Sequence, residues 1–386
     1  MEKLMIITSY FPPEIGAASN RIYHLANGLK DTYKVSVVTP LPNYPTGKIF
    51  LEYKGKIKSK SIDNGIEINR IWLYASKSKN KFLRLFAMLS YSISLVWFFI
   101  WNKIPNKVIV QSPPLLVAFT CMFFLRSKNR RLVLNVSDLW PSAGFELGAL
   151  KKNFSYKVLK RIEHFNYKNA NLVLGQSNEI LTHIKTVTTQ SELFLYRNYP
   201  DIVINNLTEN DHKGERLKIV YAGLLGVAQG ILKLCQNLNY DCIELHIYGS
   251  GAEENEIESF VNANKELPVY FYGRVSRKEL HNELLRYDIA IIPLLNRIYG
   301  SVPSKIFEYA KLGLPMLYFG GGEGETIIQD NGLGWVAEAG NYSHLNTVIK
   351  SIDKAELNIN TKKEIQSKAY KSFDYLAQIN TLKKSL

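Results

Sequence analysis

The sequence of 386 residues has few cysteines and lacks the short motifs of the commonest nucleotide and metal sites. Its three cysteines, Cys121, Cys235 and Cys242, are too few and too oddly numbered for a disulfide framework, and no Cys-x-x-Cys or histidine cluster indicates zinc. Gly-x-Gly-x-x-Gly is absent, which argues against a dinucleotide fingerprint. Asp-x-Asp is absent as well, so a metal-dependent diphosphate site has no obvious ligand pair. We expect no metal and no cofactor beyond a co-substrate.

The sequence shows neither a signal peptide nor a clear membrane span. Residues Leu4 to Thr8 are typical of a strand that ends in a turn, so we expect the catalytic parts to be cytoplasmic. The uncharged run 85–102 is borderline in length for a span, and a span would separate strands of one parallel sheet. We interpret it as a helix lying partly in the membrane interface, with Trp97 and Trp101 as anchors. A wholly buried core helix is the alternative.

Positive charge is concentrated in the first 150 residues. They contain 20 Lys and Arg against 8 Asp and Glu, a net charge of 20 − 8 = +12, which leaves 14 − 12 = +2 for the other 236 residues. Such a surface could meet nucleic acid or an anionic membrane, or it could simply be solvated. Four lysines recur at period two and are predicted to share one face of a strand: Lys54, Lys56, Lys58 and Lys60. That face favours either a nearby anion or a lysine-protected edge strand.

Length and strand–helix alternation predict two α/β domains, each a doubly wound, Rossmann-like unit. The first is predicted to span residues 1–200, with a returning helix at 373–386. The polar run 201–216 is the predicted linker, and residues 217–372 form the second domain. Four strands of the second domain end in glycine or a loop on the same edge, which suits a nucleotide.

The segment 297–325 combines features of a nucleotide-sugar site. A turn is predicted to open a helix from Lys305 to Leu312, so its backbone N–H groups and dipole favour a diphosphate. Glu308, one turn into this helix, could accept hydrogen bonds from ribose. In the first domain, Gly16 and Arg21 lie at the start of a helix after the first strand, and the stiff loop 40–48 can shape a substrate wall.

Asp138 follows a predicted buried strand and is placed to face a ligand; capping of the next turn is the alternative.

Several motifs together resemble the GT-B nucleotide-sugar glycosyltransferases of family 4, in particular bacterial surface-polysaccharide transferases of the N-acetyl-L-fucosamine transferase type. The motifs that carry this resemblance cover nearly the whole chain and are YFPPEIGAA (10–18), PNYPTGK (42–48), DLWP (138–141), 223–230, GRVS (273–276), VPSKIFEY (302–309) and GGEGE (321–325). The chain departs from the family pattern at three places. Gly300 stands where relatives carry a second glutamate, Ser137 stands where many carry a histidine, and 222–230 contains no basic residue.

The resemblance implies a retaining reaction without a protein nucleophile, in which the leaving diphosphate helps to deprotonate the acceptor hydroxyl. It implies catalytic roles for Asp138, Glu325 and Lys305. The donor-side residues it implies are Gly223, Gly249, Arg274, Val275, Arg297, Ser301, Val302, Pro303, Ser304, Lys305, Glu308, Gly321, Gly322 and Glu325. The acceptor-side residues are Glu14, Gly16, Arg21, Asn43 and Tyr44.

The expected function is therefore metal-independent transfer of an N-acetylated hexosamine or deoxyhexosamine from a UDP-sugar to a polyprenyl-diphosphate-linked acceptor. Such a transferase would make bacterial capsule or O-antigen polysaccharide and lie on the anionic inner face of the plasma membrane. A UDP-sugar 2-epimerase shares the architecture and is the first alternative. A nucleic-acid-binding protein is the second, although the lysines are not interleaved with stacking aromatics and the charge avoids the nucleotide half.

Overall fold

The structure is a computed structural model that describes the chain except residues 78–79, 147, 149, 203–206, 208–215 and 296, and the side chains of Lys81, Arg84 and Arg277. The chain divides into two compact units. The first contains residues 1–198, 298–301 and 376–386, and the second contains residues 199–297 and 302–375. Most of the predicted linker 201–216 lies outside the described residues.

The first unit is built on an eight-stranded sheet with the order β3-β4-β2-β1-β5-β6-β7-β8. Its strands are β1 (Glu2–Ile7), β2 (Tyr33–Pro40), β3 (Lys58–Asp63), β4 (Ile66–Ile71), β5 (Lys107–Ser112), β6 (Arg131–Val136), β7 (Leu172–Gly175) and β8 (Glu192–Leu195). Its first six helices are α1 (Ala17–Leu29), α2 (Lys81–Trp101), α3 (Leu115–Leu125), α4 (Ser142–Glu146), α5 (Phe154–Asn169) and α6 (Asn178–Val187). All neighbouring strands are parallel except β3, which runs antiparallel to β4 at the sheet edge.

The second unit is built on a six-stranded parallel sheet with the order β11-β10-β9-β12-β13-β14. Its strands are β9 (Leu217–Leu224), β10 (Ile243–Ser250), β11 (Val269–Gly273), β12 (Ile289–Pro293), β13 (Met316–Phe319) and β14 (Gly334–Ala337). Its helices are α7 (Ile231–Asn237), α8 (Glu254–Ala263), α9 (Arg277–Leu284), α10 (Lys305–Lys311), α11 (Glu323–Asp330), α12 (Tyr342–Ser351) and α13 (Ile359–Ser372). The last helix, α14 (Tyr375–Ser385), belongs to the first unit from Leu376 onward. Two short 3₁₀ turns lie at Leu51–Tyr53 and Lys354–Glu356.

Buried apolar runs explain why both sheets are central layers. The four residues of β7 and the five of β12 are all buried, as expected of parallel strands covered on both faces. In the first unit, α3 is apolar on nearly every side because it packs against both α2 and α5. These layers leave the carboxyl ends of the parallel strands at one edge of each sheet, where the loops carry the predicted site residues.

The predicted four-lysine strand is wrong in part. Lys58 and Lys60 lie on β3, but Lys54 and Lys56 precede the strand, in the turn that follows Leu51–Tyr53. Gly55 within that turn has φ of +78°, a left-handed conformation that ends an extended run and that glycine adopts without strain. Only two ammonium groups therefore share the strand face, and β3 is the edge strand that the alternative interpretation expected.

Candidate active site

Five of the predicted donor residues line one pocket of the second unit. The pocket has a volume of about 270 Å³ and lies where β9, β10 and β11 end. The predicted residues in its wall are Gly223, Gly249, Arg274, Val275 and Lys305. Four further residues complete the wall and were not predicted: Leu224, Tyr248, Ser250 and Leu280. The rim of strand ends that the sequence indicated is therefore a concave site.

Close approach of two strand ends shapes the floor of this pocket. Gly249 pairs in register with Gly223, and its φ is +146°. A Cβ atom at Gly249 would lie only 1.9 Å from the carbonyl oxygen of Gly223, so no other residue fits without moving the backbone. The floor of the pocket is thus bare backbone where β9 and β10 end.

The side chain of Lys305, the first residue of α10, supplies a positive charge to the pocket wall. Its Cε lies 3.2 Å from the position that a Cβ of Gly223 would occupy, and its Nζ lies 5.2 Å from the centre of the Tyr309 ring. Tyr309 is buried and donates a hydrogen bond to the carbonyl oxygen of Ala222 at 3.1 Å. The lysine is therefore held between its own helix and the end of β9, where an ammonium group can meet an anionic ligand.

Glu308 lies one turn after Lys305 on α10 and is paired with a histidine that the sequence did not indicate. His281 Nε2 of α9 lies 2.7 Å from Glu308 Oε1, and the two side chains are only 14% and 15% exposed. Residues three apart on a helix lie on one face, so Glu308 and Lys305 project from the same side of α10. A carboxylate oriented by a neighbouring N–H can still accept hydrogen bonds from hydroxyl groups through its second oxygen.

Arg297 supplies a second positive charge in this unit and packs against the glycine loop after β13. Gly322 has φ of +78°, and the Arg297 guanidinium fills the space that a side chain there would take, with Cζ 2.1 Å from the ideal Cβ position. Tyr318 donates a hydrogen bond to the carbonyl oxygen of Gly321 at 3.1 Å and fixes the loop from below. Glu325 lies in the first turn of α11, which begins directly after this loop, and its side chain is partly exposed.

Residues 298–304, between β12 and α10, are divided between the two units. Gly300, with φ of +84°, donates to a Glu179 carboxylate oxygen at 2.9 Å and accepts from the Ser177 hydroxyl at 2.7 Å, which places Ser301 and its neighbours in the first unit. Val302 packs into the core of the second unit, and Pro303 and Ser304 lead into α10. Helix α10 spans seven residues, and the side chain of its N-cap Ser304 makes no capping bond.

In the first unit, Arg21 is a buried cation that joins the carboxyl ends of several strands. Its guanidinium donates to Asn135 Oδ1 on β6 at 2.9 Å, to Gln176 Oε1 after β7 at 3.1 Å, and to the carbonyl oxygen of Tyr196 after β8 at 2.9 Å. It is 3% exposed, and burial lowers its pKa to about 10. Arg21 therefore connects the ends of these strands, and its predicted acceptor-side role stays a prediction.

Asp138 follows β6 and interacts electrostatically with Arg21. Burial raises the pKa of this carboxyl above its usual range, and the charge of Arg21 opposes that rise. The backbone carbonyl of Asp138, rather than its side chain, accepts the turn hydrogen bond from Trp140 N at 3.1 Å. A partly desolvated carboxylate at a strand end, next to a buried cation, can hold or exchange a proton with a hydroxyl group nearby.

Glu14 organises the loop that carries Asn43 and Tyr44. Its Oε1 accepts from the backbone N–H groups of Asn43 at 2.8 Å and Tyr44 at 2.9 Å, and burial raises the pKa of the Glu14 carboxyl despite these bonds. A Cβ at Gly16 would lie 3.4 Å from Cε1 of Tyr44, so the two loops are in contact. Tyr44 itself is 44% exposed. These four residues form one assembly whose outward group is the Tyr44 ring.

Helix α2 presents an apolar stripe to solvent. Its large exposed side chains are Phe82, Leu83, Leu85, Phe86, Leu89, Ile93, Trp97, Ile100 and Trp101. The opposite face packs Tyr91 and Leu95 into the core. Because the stripe is exposed, the alternative of a wholly buried helix is wrong. Within the part of the chain that the structure describes, no helix meets the length and hydropathy that crossing a membrane requires.

Among the same described residues, no three acidic, histidine or cysteine side chains come together as a metal site.

The residues that sequence reasoning missed are those whose partners are distant in the chain. Tyr248 lines the pocket, and its hydroxyl lies 2.8 Å from that of Tyr287. Its position immediately before Gly249, at a strand end, is a signal that could have revealed it. His281 and Glu308 are 27 residues apart in the sequence, and no motif links them.

Comparison with known proteins supports the fold and the enzyme class. Residues 205–372 match the family described as Glycosyl transferases group 1. The whole chain is similar in structure to sucrose-phosphate synthase from Thermosynechococcus elongatus, with a TM-score of 0.74 and 13% identity over 100% of this chain and 98% of that one. Anabaena HepE in complex with UDP-glucose gives a TM-score of 0.67 and 15% identity over 100% of both chains. WaaG, a glycosyltransferase involved in lipopolysaccharide biosynthesis, gives 0.63 and 13% over 98% of both.

These likenesses confirm the predicted GT-B fold with two Rossmann-like domains. The predicted class, glycosyltransferase, agrees with the family that residues 205–372 match. A comparison with curated protein sequences found no significant match.

Proposed function

We propose, starting from the group 1 glycosyltransferase domain at residues 205–372, that this protein transfers a sugar from a UDP-sugar to a polyprenyl-diphosphate-linked acceptor. The observation that carries the proposal is the pocket at the ends of β9, β10 and β11, with backbone glycines as its floor and Lys305 in its wall. A nucleotide needs close backbone approach and a cation for its diphosphate, and this pocket offers both. The structure of HepE with UDP-glucose, which has the same fold, is consistent with that assignment.

On the donor side, each contact would act on a different part of the UDP-sugar. Val275, half-buried at the pocket wall, lies against the base, and Glu308, oriented by His281, accepts hydrogen bonds from the ribose hydroxyls. Lys305 and Arg274 balance the charge of the diphosphate, which develops further as the glycosidic bond breaks. We assign the sugar to the group formed by the loop at Gly321 and Gly322, Arg297 beside that loop, and Glu325 of α11. In this arrangement protein cations take the place of a metal ion.

The chemistry we propose is transfer with retention of configuration. The C1–O bond to the leaving phosphate breaks and the acceptor oxygen bonds to C1 on the same face, while the acceptor proton passes to a phosphate oxygen. No protein nucleophile is required, and the enzyme contributes orientation and charge stabilisation. We assign Asp138, whose carboxyl has a raised pKa, to the acceptor side, where it would orient the attacking hydroxyl.

The acceptor proposal rests on the first unit. The α2 stripe exposes Trp97 and Trp101 at 65% and 69%, with basic residues nearby in the sequence. An amphipathic helix with interfacial tryptophans beside cations is typical of proteins that lie on an anionic membrane, where a polyprenyl carrier is found. We therefore assign the protein to the inner face of a bacterial plasma membrane and to surface-polysaccharide synthesis, with an N-acetylated hexosamine or deoxyhexosamine as donor sugar.

A direct assay tests the proposal. Purified protein is incubated with UDP-N-acetylhexosamines and a short-chain polyprenyl-diphosphate-linked sugar, and the product anomer is assigned by NMR. We expect UDP-dependent extension of the acceptor with the donor's configuration, abolished by Lys305→Met and unaffected by Lys278→Met on the exposed side of α9. An inverted product would contradict the retaining mechanism. Equilibration of the UDP-sugar with no acceptor present would instead identify an epimerase.

A ligand screen by thermal unfolding precedes this assay. A ligand at a hundred times its Kd stabilises the folded state by about 2.7 kcal/mol, so UDP should raise Tm measurably. UDP-sugars and UDP are compared with uridine and with other nucleoside diphosphates. No stabilisation by any nucleotide would count against the pocket assignment itself.

A further inference from the structure

Two cavities of the first unit share a wall at the C-terminal end of α2. Phe98 and Asn102 line both of them. One cavity, of about 220 Å³, is lined by lysines at the amino ends of β1 and β2. The other, of about 400 Å³, is an apolar groove between α2 and the strands β3 and β4.

The first cavity is strongly basic. Its charged wall residues are Lys3, Lys34, Lys60, Lys103 and Glu67, a formal sum of 4 − 1 = +3. Lys3 and Lys34 lie directly opposite each other on neighbouring parallel strands. Like charges in that relation repel, which an anion between them would relieve.

A single carboxylate faces these lysines. Glu67 Oε2 is bound by Lys60 at 3.0 Å and Oε1 by the Asn69 amide at 2.9 Å, and these contacts, with the charge of Lys34, lower the pKa of the Glu67 carboxyl. Glu67 thus balances one of the four ammonium groups, and the positive potential of the cavity remains.

The second cavity is apolar where the first is charged. Its wall consists mainly of Ile57, Ile71, Trp72, Ile93, Trp97 and Trp101. Lys58 stands beside it on the edge strand β3. Ile93, Trp97 and Trp101 also belong to the exposed α2 stripe, so the groove opens onto the surface that we assign to the membrane.

From these two adjoining cavities we infer a binding site for one anionic phospholipid: the phosphate headgroup lies among Lys3, Lys34 and Lys103, and an acyl chain lies along the α2 groove. The charge and the apolar wall meet at Phe98 and Asn102, as an amphiphile requires. The inference rests on the proposed membrane association and extends it from a diffuse attraction to a single saturable site.

This site is distinct from the acceptor-side residues of the first unit. Lys3 and Lys34 lie at the amino ends of β1 and β2, whereas Arg21 and Asp138 lie where strands end. A six-residue strand spans about 20 Å, so the sheet separates the two sites by roughly that distance. The phospholipid would be a fixed anchor, and the acceptor substrate would use the opposite edge.

The test measures binding of a short-chain lipid below its micelle concentration, so that no membrane is needed. Dihexanoylphosphatidylglycerol is titrated into the full chain while fluorescence of the groove tryptophans is recorded. We expect saturable binding that Lys34→Gln/Lys103→Gln weakens by about tenfold or more. The control Lys54→Gln/Lys128→Gln removes the same charge from exposed lysines outside the cavity and should change Kd by less than about twofold.

Chemically matched ligands separate the sources of the anion. Dihexanoylphosphatidylcholine, with the same chains and no net charge, should bind native protein about tenfold more weakly or worse. Glycerol 3-phosphate should compete only at much higher concentration, because it lacks the chains. Equal competition by glycerol 3-phosphate, equal loss in both double variants, or equal binding of the two lipids would each overturn the inference.

Two further measurements keep the result unambiguous. Far-ultraviolet circular dichroism and Tm establish that the variants are folded, and the single variants replace the double one if it is not. Transfer from a UDP-sugar to a water-soluble acceptor is assayed in parallel, since the variants change no residue of the candidate active site. If the native protein transfers sugar but does not bind the lipid, this inference is wrong and the proposed function stands. If it binds the lipid but transfers no sugar, the proposed function is wrong and this inference stands.

Discussion

His281 Nε2 of α9 lies 2.7 Å from Glu308 Oε1 of α10, and this pair links two helices that both contribute to the pocket wall. Leu280 lines the pocket from α9, and Lys305 lines it from α10. The histidine therefore fixes the carboxylate that we assign to ribose.

The first prediction tests this pair. Glu308→Gln is expected to weaken UDP binding by about tenfold, because an amide is a poorer acceptor for ribose hydroxyls. His281→Ala should weaken it less, and the double variant should show coupling of about 0.5–3 kcal/mol because the two side chains are in contact. Isothermal titration calorimetry with UDP measures all four proteins. The matched control is Glu283→Gln, which removes the charge of an α9 carboxylate that pairs with the exposed Arg286.

The second prediction separates the diphosphate from the nucleoside. Lys305→Met should weaken UDP binding by about tenfold or more and leave uridine binding unchanged, because only the diphosphate meets the ammonium group. Lys305→Arg should retain part of the affinity, since it keeps the charge but changes its geometry. Equal losses for UDP and uridine would show that the variant disturbs the pocket as a whole.

The third prediction concerns the glycine floor of the pocket. Gly249→Ala is expected to lower the free energy of unfolding by about 3 kcal/mol or more, because its Cβ would collide with the Gly223 carbonyl and the backbone has a positive φ. Gly321→Ala is the control, since a Cβ there meets nothing within 4 Å. Urea unfolding measures both. Similar stability of the two variants would contradict the close approach of β9 and β10.

The fourth prediction concerns the α2 stripe. Ile93→Ser/Trp97→Ser should reduce binding to vesicles containing phosphatidylglycerol by about tenfold or more, because each exposed apolar side chain contributes area buried in the interface. Tm should change little, since both side chains are about two-thirds exposed. Leu376→Ser removes an equally exposed side chain from α14 and should leave vesicle binding unchanged. Co-sedimentation with vesicles measures all three proteins.

The fifth prediction follows from a buried lysine in the second unit. Lys362 is 3% exposed and donates to the Leu285 carbonyl oxygen at 3.1 Å, and burial lowers its pKa to about 8. The folded protein releases this proton more readily than the unfolded chain. The free energy of unfolding therefore rises with pH above about 8, and this contribution is lost as pH falls to 8.

Relative to Lys362→Met, we expect the native free energy of unfolding to rise by about 2 kcal/mol between pH 7 and pH 9.5. The exposed Lys350→Met is the control and should show no such pH dependence. Urea unfolding at several pH values gives the difference. A constant difference between native protein and Lys362→Met across this range is the result that contradicts the prediction.

Sequence patterns located the elements well where periodicity was strong. The helix predicted from Lys305 to Leu312 agrees with α10 to within one residue, because its pattern ends at a clear Gly-Leu-Pro turn. The period-two lysines misled because Gly55 interrupts the extended chain between Lys54 and Lys56, and a single glycine does not reveal its φ. Alternation of residue types alone was too weak a signal to define that strand.

The candidate site also contains residues that the sequence predicted and residues that it did not reveal. Gly223, Gly249 and Arg274 were predictable, because strand ends of a parallel sheet share one edge. His281 and the lysine cavity were not, since each depends on residues from separate elements that only the folded chain brings together. Asp138 was placed at the right edge, but its relation to Arg21 spans 117 positions and has no local signature.

The Arg21 network has a consequence for how such a chain can change its specificity. One guanidinium joins the side chains of Asn135 and Gln176 and the backbone carbonyl of Tyr196, so substitution of Asn135 or Gln176 leaves a buried donor without that acceptor. In the transferase that we propose, new acceptor preferences are therefore expected to arise in the outward Tyr44 loop, where a changed side chain costs little stability. Burial therefore keeps the Arg21 network constant in this fold, whereas the exposed Tyr44 loop can vary in sequence.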